Sequence, residues 1–196
     1  MNLNNALQAL GIDPKWEEPL QATFDKYDIN TPKRQAAFIG QCAHESANFK
    51  VLQENLNYSA EGLMKTWPSR FSTKEIADQY ARQPAKIAGK VYNGRLGNTN
   101  EEEASKFLGR GLIQLTGKEN YERCGLAIGI DLLSDPNLLL DPRHAAMSAG
   151  WFWNKKGLNE LADVQEHGQI TKRINGGLIG LDDRIAKTTK ALAALG

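Results

Sequence analysis

Apolar residues along the chain recur mostly at the three-to-four-residue spacing of helices, interrupted at short intervals by proline and glycine. The first 30 residues read as two short helices split at Gly11-Ile12-Asp13-Pro14, with Trp16, Leu20, Phe24 and Tyr27 on one face of the second. That face is expected in the core. Thr31 stands as a cap before Pro32, and good helix formers follow until the helix ends near Glu45. Asn48, Asn55 and Asn57 weaken any continuation, and Ser59-Ala60-Glu61-Gly62 caps a new helix that stops at Pro68. Residues 73–82 read as helix, Pro84 as a break, and residues 92–100 as a turn-rich segment. The run Leu112-Ile113-Gln114-Leu115 fits a short strand, which would place Gln114 and Thr116 on one side.

The remainder is mostly helical, with starts at Asp135-Pro136 and Asp141-Pro142. Ala146, Ala149, Trp151 and Trp153 form a small-residue surface with aromatic filling. A glycine-rich bend over residues 171–184 precedes a last amphipathic helix. There is no internal repeat and no low-complexity linker, and 196 residues fit a single domain with a proper core.

Composition narrows the function classes. Lys and Arg number 24 against 23 Asp and Glu, and the net charge of +1 argues against nucleic acid as the partner. The first ten residues lack the basic-then-apolar pattern of a secretory signal, and no stretch of about 18 apolar residues suits membrane insertion. Residence in the cytosol after synthesis is the expectation. Cys42 and Cys124 have no metal-ligand spacing and read as buried thiols; His144 and His167 read as structural or solvent-facing, and Glu101-Glu102-Glu103 as a solvated run.

The candidate chemistry centres on Glu45 and Glu54. On one straight helix, nine residues would put them on opposite faces, roughly 13 Å apart along the axis. A chain that leaves the helix between them instead sets Glu54 on a loop able to fold back. Packing around Glu45 and an open, wetter setting for Glu54 would then separate an acid from a base. Two unconnected surface charges are the alternative reading. Two other motifs fail on spacing. Gly111 to Gly117-Lys118 has five intervening residues rather than a phosphate loop's four, with Glu119 where Ser or Thr is needed, and His44-Glu45 lacks the second histidine of a zinc-protease helix.

Three separated motifs stand in order: His44-Glu45-Ser46 with Glu54, Gly109-Arg110-Gly111-Leu112-Ile113-Gln114-Leu115-Thr116-Gly117, and Ile174-Asn175-Gly176-Gly177 followed by Asp183-Arg184. Together they resemble the glycoside hydrolase family 19 chitinases, and more closely the bacteriophage endolysins of that fold. The tract from Glu54 to Ala60, the segment from Pro84 to Gly97, and Trp151-Phe152-Trp153 resemble the endolysin branch as well. The resemblance covers nearly the whole chain and outweighs the surface-charge reading.

It implies a mainly α, lysozyme-like, two-lobed fold with a substrate groove and at most a very small β element, in one catalytic domain over 1–196 whose smaller lobe lies within about 57–107. It implies inversion by direct water attack, with Glu45 as general acid, Glu54 as general base and Thr116 holding the water. Gln114, Asn120, Asn175 and Arg184 match positions that bind sugar or support the catalytic loop. An inverting pair needs its carboxyl groups about 6.5–9.5 Å apart, and the chemistry needs no metal or cofactor.

The expected substrate is the β-1,4 glycan backbone of peptidoglycan, cut at the lysozyme-type (N-acetylmuramidase) bond. The expected route is release from the host cytoplasm to the cell wall through a holin, as a monomer with no nucleic-acid partner and no stable membrane insertion. The few cysteines and the lack of a chitin-binding extension depart from plant-type chitinases. Chitin, or a non-catalytic wall-binding role, is the alternative.

Overall fold

The computed structural model describes residues 2–196. The helices are, in chain order, α1 (Leu3–Ala9), α2 (Glu17–Lys26), α3 (Pro32–Glu45), α4 (Ala60–Thr66), α5 (Lys74–Tyr80) and α6 (Pro84–Tyr92). They continue with α7 (Glu101–Lys106), α8 (Lys118–Ile128), α9 (Pro142–Lys155), α10 (Leu158–Asp163), α11 (His167–Asn175) and α12 (Leu181–Leu195). The fold is mainly helical. Among the described residues, β-structure is limited to two isolated antiparallel bridges, Gln53 with Arg110 and Arg110 with Leu115.

The chain divides into two compact units. The first contains the residues up to 52, 111–114 and those from 137 onward. Its core is built on α3, which Thr31 caps through its side-chain oxygen and Pro32 starts, and which is buried from Gln35 to Ala43. Such all-round burial needs small residues where another helix crosses. At Gly40 a Cβ would lie 2.1 Å from Thr188 Oγ1 on α12, so glycine there sets the approach of α3 and α12. Phe38 meets Phe24 and Trp153 edge-on at 5.6 and 5.3 Å, a favoured aromatic arrangement. The indole N–H of Trp153 donates to Asn159, whose amide donates to the carbonyls of Tyr27 and Asp28, so this buried polar group is satisfied.

The second unit, 53–110 and 115–136, extends beyond the stretch 57–107. Its core joins Leu56, Leu63, Phe71, Ala77, Ile87, Ala88, Val91 and Leu108. Ser59 caps α4 and Thr73 caps α5. The helix before Pro84 does end, at Tyr80, but Pro84 itself is not followed by irregular chain. It occupies the first position of α6, where its missing N–H costs nothing, and α6 runs to Tyr92.

The expected strand at Leu112 to Leu115 is absent. Residues 111–114 form a tight turn, with Gly111 at φ +90° and Gln114 at φ +54°, between Arg110 and Leu115, whose backbone groups pair with each other. Positive φ at both ends of the turn reverses the chain, so the two-residue period does not apply. The glycine-rich bend is also shorter than 171–184: α11 runs to Asn175 and α12 begins at Leu181, leaving residues 176–180 as the turn.

Candidate active site

Glu45 is the last residue of α3. The helix ends there because Ser46 competes with it: its buried hydroxyl donates to the Cys42 carbonyl and accepts from the Phe49 N–H. Ala47, Asn48 and Phe49 then take φ of 49°, 57° and 67°. Three consecutive left-handed non-glycine residues cost roughly 1–2 kcal/mol each. The Ser46 bonds and the Phe49 ring, edge-on to Trp16 at 5.0 Å, offset that cost.

The Glu45 side chain is 21% exposed, and its Oε1 lies 2.7 Å from Nη2 of Arg184, which is 2% exposed. The contact is an ion pair whose angles fall outside hydrogen-bond geometry. Arg184 is held from its other side as well: Nη1 donates to Gln41 Oε1 at 2.7 Å and Nε to the Ile179 carbonyl at 3.0 Å. Gln41 in turn donates to Thr171 Oγ1 at 3.1 Å. One turn before the carboxylate, burial first and the Glu45 charge second push the Cys42 thiol well up. His44 Nδ1 sits 2.6 Å from Asp183 Oδ2, and Lys187 Nζ lies 2.8 Å from both Asp183 oxygens. Hydrogen bonds from Lys187 and then His44 hold the Asp183 carboxyl below the usual range.

Glu54 has a different setting. Its backbone N–H donates to the Gly109 carbonyl at 2.9 Å, and the Gly109 N–H donates back to Glu54 Oε2 at 2.6 Å. The other carboxylate oxygen, Oε1, accepts from the Tyr92 hydroxyl at 2.9 Å. The expectation of an open, wet loop is therefore corrected: Glu54 is partly buried and both its oxygens accept hydrogen bonds. Burial first, then the Glu54 charge, raise the Tyr92 phenol, which stays protonated and able to donate.

Of the two arginines open to pairing with a glutamate, Arg184 takes Glu45. Arg110, buried in the second unit, donates to Gln53 Oε1, the Lys106 carbonyl and the Tyr121 hydroxyl. Tyr121 donates to the Leu108 carbonyl, and burial pushes its phenol up to about 12 against the opposing effect of Arg110.

The remaining sequence-derived residues are placed as follows. Thr116 is half-buried, and its carbonyl accepts from the Asn120 side chain at 2.9 Å in the first turn of α8. Gln114 lies in the turn before it, with Nε2 3.3 Å from the Gly111 carbonyl. Asn175 is exposed at the last position of α11. Sequence reading passed over Tyr92 and Gln41. Tyr92 ends a helix obscured by reading Pro84 as a break. Gln41 carried a usable signal, since it lies four residues, one helical turn, before Glu45 on the same face.

The fold is lysozyme-like and helical. Along the whole chain it matches chitinase C from Streptomyces griseus, with a TM-score of 0.68 at 20% identity, covering 92% of that chain. It likewise matches a bacterial family 19 chitinase, with a TM-score of 0.67 at 21% identity and 94% coverage. The sequence profile of the class I chitinases, glycoside hydrolase family 19, matches residues 20–176. A glycosyl hydrolase family 19 domain-containing protein of Haemophilus influenzae is 39% identical over 172 residues, covering 85% of this chain and 82% of that protein. Endochitinase 1 of Theobroma cacao is 40% identical over 172 residues, covering 77% of this chain and 48% of that protein. The chain thus spans about half the length of the plant enzyme it matches. It belongs to glycoside hydrolase family 19 and is a chitinase-like glycoside hydrolase.

Proposed function

We propose that the chain hydrolyses β-1,4 bonds in the glycan backbone of bacterial peptidoglycan, as a lysozyme-type muramidase of the endolysin kind, by inversion. The observation that carries the two-carboxylate mechanism is the contrast between its glutamates. Glu54 has two donors aimed at its carboxylate, the Tyr92 hydroxyl and the Gly109 N–H, which hold it in the fixed orientation a base needs. Glu45 ends a helix with part of its side chain open, where it can meet a leaving oxygen.

In this reading Glu45 protonates the glycosidic oxygen as the bond to the anomeric carbon breaks. Glu54 removes a proton from the water attacking the opposite face of the sugar, and Thr116 helps hold that water. The guanidinium of Arg184 stabilises the carboxylate left on Glu45 once its proton has gone. Gln114, Asn120 and Asn175 hold the sugars, and Arg184 supports Glu45 rather than meeting substrate.

The peptidoglycan assignment is supported by the resemblance of residues 84–97 and of Trp151-Phe152-Trp153 to the endolysin branch. Accumulation in a host cytoplasm, followed by holin-type release to the wall, goes with that assignment. The second reading is chitin, favoured by the 31–40% identity to plant chitinases and endochitinases. Mass spectrometry of fragments released from purified peptidoglycan and from chitin oligomers separates the two. Hydrated fragments with a reducing N-acetylmuramic acid end, lost in both Glu45→Gln and Glu54→Gln, are the expected result. Cleavage of chitin alone would move the assignment to a chitinase, and anhydro ends would overturn inversion.

A further inference from the structure

We propose that Tyr92 is a positioning residue for Glu54: its hydroxyl and the Gly109 N–H grip the two oxygens of the carboxylate and fix the direction of the lone pairs that remain for the attacking water. The inference rests on the reading of Glu54 as the general base.

A carboxylate carries about four acceptor sites, and a free glutamate can present them in any direction. In this protein Oε1 is engaged by Tyr92 at 2.9 Å and Oε2 by Gly109 at 2.6 Å, so rotation about the last side-chain bond would break both contacts. A base works only when its lone pair meets the water proton in line, and losing that alignment lowers rate without weakening substrate binding.

Both donors are fixed to one frame. Tyr92 closes α6, whose Ile87, Ala88 and Val91 are buried in the second core. Its carbonyl accepts from the Arg95 N–H and from the Asn98 amide at 3.1 and 3.2 Å, which folds residues 93–98 into a turn. The turn is pinned to the start of α8. Asn98 Oδ1 accepts from the Lys118 N–H at 3.0 Å, and the Leu96 carbonyl accepts from the Glu119 N–H at 3.1 Å. That approach is possible only because Gly117, at φ +93°, has no Cβ: one there would lie 2.3 Å from Leu96 Cβ. The Gly117 N–H donates to the Phe107 carbonyl at 2.8 Å, two residues before Gly109. The turn at 93–98 and the start of α8 therefore meet, and Tyr92 and Gly109, which grip Glu54, are each tied by hydrogen bonds or short chain links to that junction.

The ionisable groups around this contact come from several elements. Tyr121 on α8 feels the Glu54 charge and has Arg110 beside it, while Arg95 and Tyr58 act on Tyr92. Arg110 is occupied by Gln53, Lys106 and Tyr121, so among the described hydrogen bonds the phenol and the amide are what Glu54 accepts from.

The test is Tyr92→Phe, which keeps the ring and removes only the donor, assayed on whichever of peptidoglycan or chitin oligomers the wild type cleaves. The expected result is a fall in kcat of about tenfold with KM within about twofold, as losing one hydrogen bond to a charged group implies. Asn98→Ala, which frees the turn without touching Glu54, should lower kcat in the same way by less, with KM again little changed, and it decides the matter if Tyr92→Phe does not fold. An unchanged kcat in the folded variant, with Glu54→Gln inactive, would overturn the positioning role alone. Activity surviving Glu54→Gln, or no cleavage of either substrate by the wild type, would overturn the base assignment and this inference with it.

Discussion

Nη2 of Arg184 lies 2.7 Å from Oε1 of Glu45, while the same guanidinium donates to Gln41 and to the Ile179 carbonyl. A planar fork with several donors can make these contacts at once; a lysine ammonium on a thinner stem cannot. Arg184 also ranks among the largest fully buried side chains, so it fills volume as well as carrying charge.

Arg184→Lys is accordingly expected to leave Gln41 or Glu45 unpartnered. Breaking a buried pair costs about 3–5 kcal/mol. Partial exposure of Glu45 and the charge that lysine retains reduce this to about 2 kcal/mol. Urea denaturation should show the loss, and turnover should fall at least about tenfold, as mispositioning a reacting group does. A variant with wild-type stability and turnover would show that the fork is dispensable.

Two glycines share a left-handed backbone but differ in the space around them. Gly11, at φ +65°, has nothing within 4 Å of a Cβ, whereas at Gly117 a Cβ would lie 2.3 Å from Leu96 Cβ and 2.7 Å from its carbonyl oxygen. Gly11→Ala should cost only the conformational strain, about 1 kcal/mol. Gly117→Ala adds a steric clash that can be relieved only by moving backbone, and should cost at least about 3 kcal/mol. Thermal melts of the two variants side by side measure the difference; equal melting temperatures would contradict the tight junction at Leu96.

The crossing of α3 and α12 depends on Gly40, where a Cβ would meet Thr188 Oγ1 at 2.1 Å and the Thr188 backbone nitrogen at 2.7 Å. Gly40→Ala improves helix propensity by about 1 kcal/mol, yet should destabilise the protein by about 2 kcal/mol or more because backbone stands in the way. Adding Thr188→Ala removes the hydroxyl but not the backbone nitrogen, so the double variant should recover only part of the loss in chemical denaturation.

Glu103 accepts from Lys118 Nζ at 2.6 Å and from both the backbone and the hydroxyl of Thr99. These bonds, the lysine first, lower its carboxyl from 4.5 to about 2. Because the folded-state value is the depressed one, the stabilisation is present above pH 4.5 and is lost as pH falls towards about 2. The melting-temperature difference between wild type and Glu103→Gln should be constant above about pH 5 and shrink to nothing near pH 2. For a half-buried pair at the surface the effect is small and weakens with salt. A difference that grew as pH fell would contradict it.

Much of the helical framework was legible in the chain, because caps and apolar spacing act within a few residues. Thr31 before Pro32, Ser59 before Ala60 and Thr73 before Lys74 each mark a helix start where the side-chain oxygen satisfies a backbone N–H. The break before Pro84 was legible as well, but the helix that Pro84 starts was not, since proline is tolerated both at a break and in a first turn, and only the core contacts of Ile87 and Val91 select the helix. Leu112 to Leu115 failed differently: an apolar run suits a strand or a buried turn, and positive φ at Gln114 has no sequence marker.

Sequence alone therefore determined the helical class, the end of α3 at Glu45, the family and the candidate glutamates, all of which follow from near-neighbour chemistry or from motif order. The surroundings of those glutamates were decided by tertiary structure. Nothing in the chain announces that Arg184 rather than Arg110 pairs with Glu45, or that Tyr92 rather than solvent meets Glu54. Hydrogen bonds and ion pairs act over about 3 Å in space. Residues far apart in the chain come within that range only after α12 has packed on α3, and after the turn at 93–98 has locked onto the start of α8.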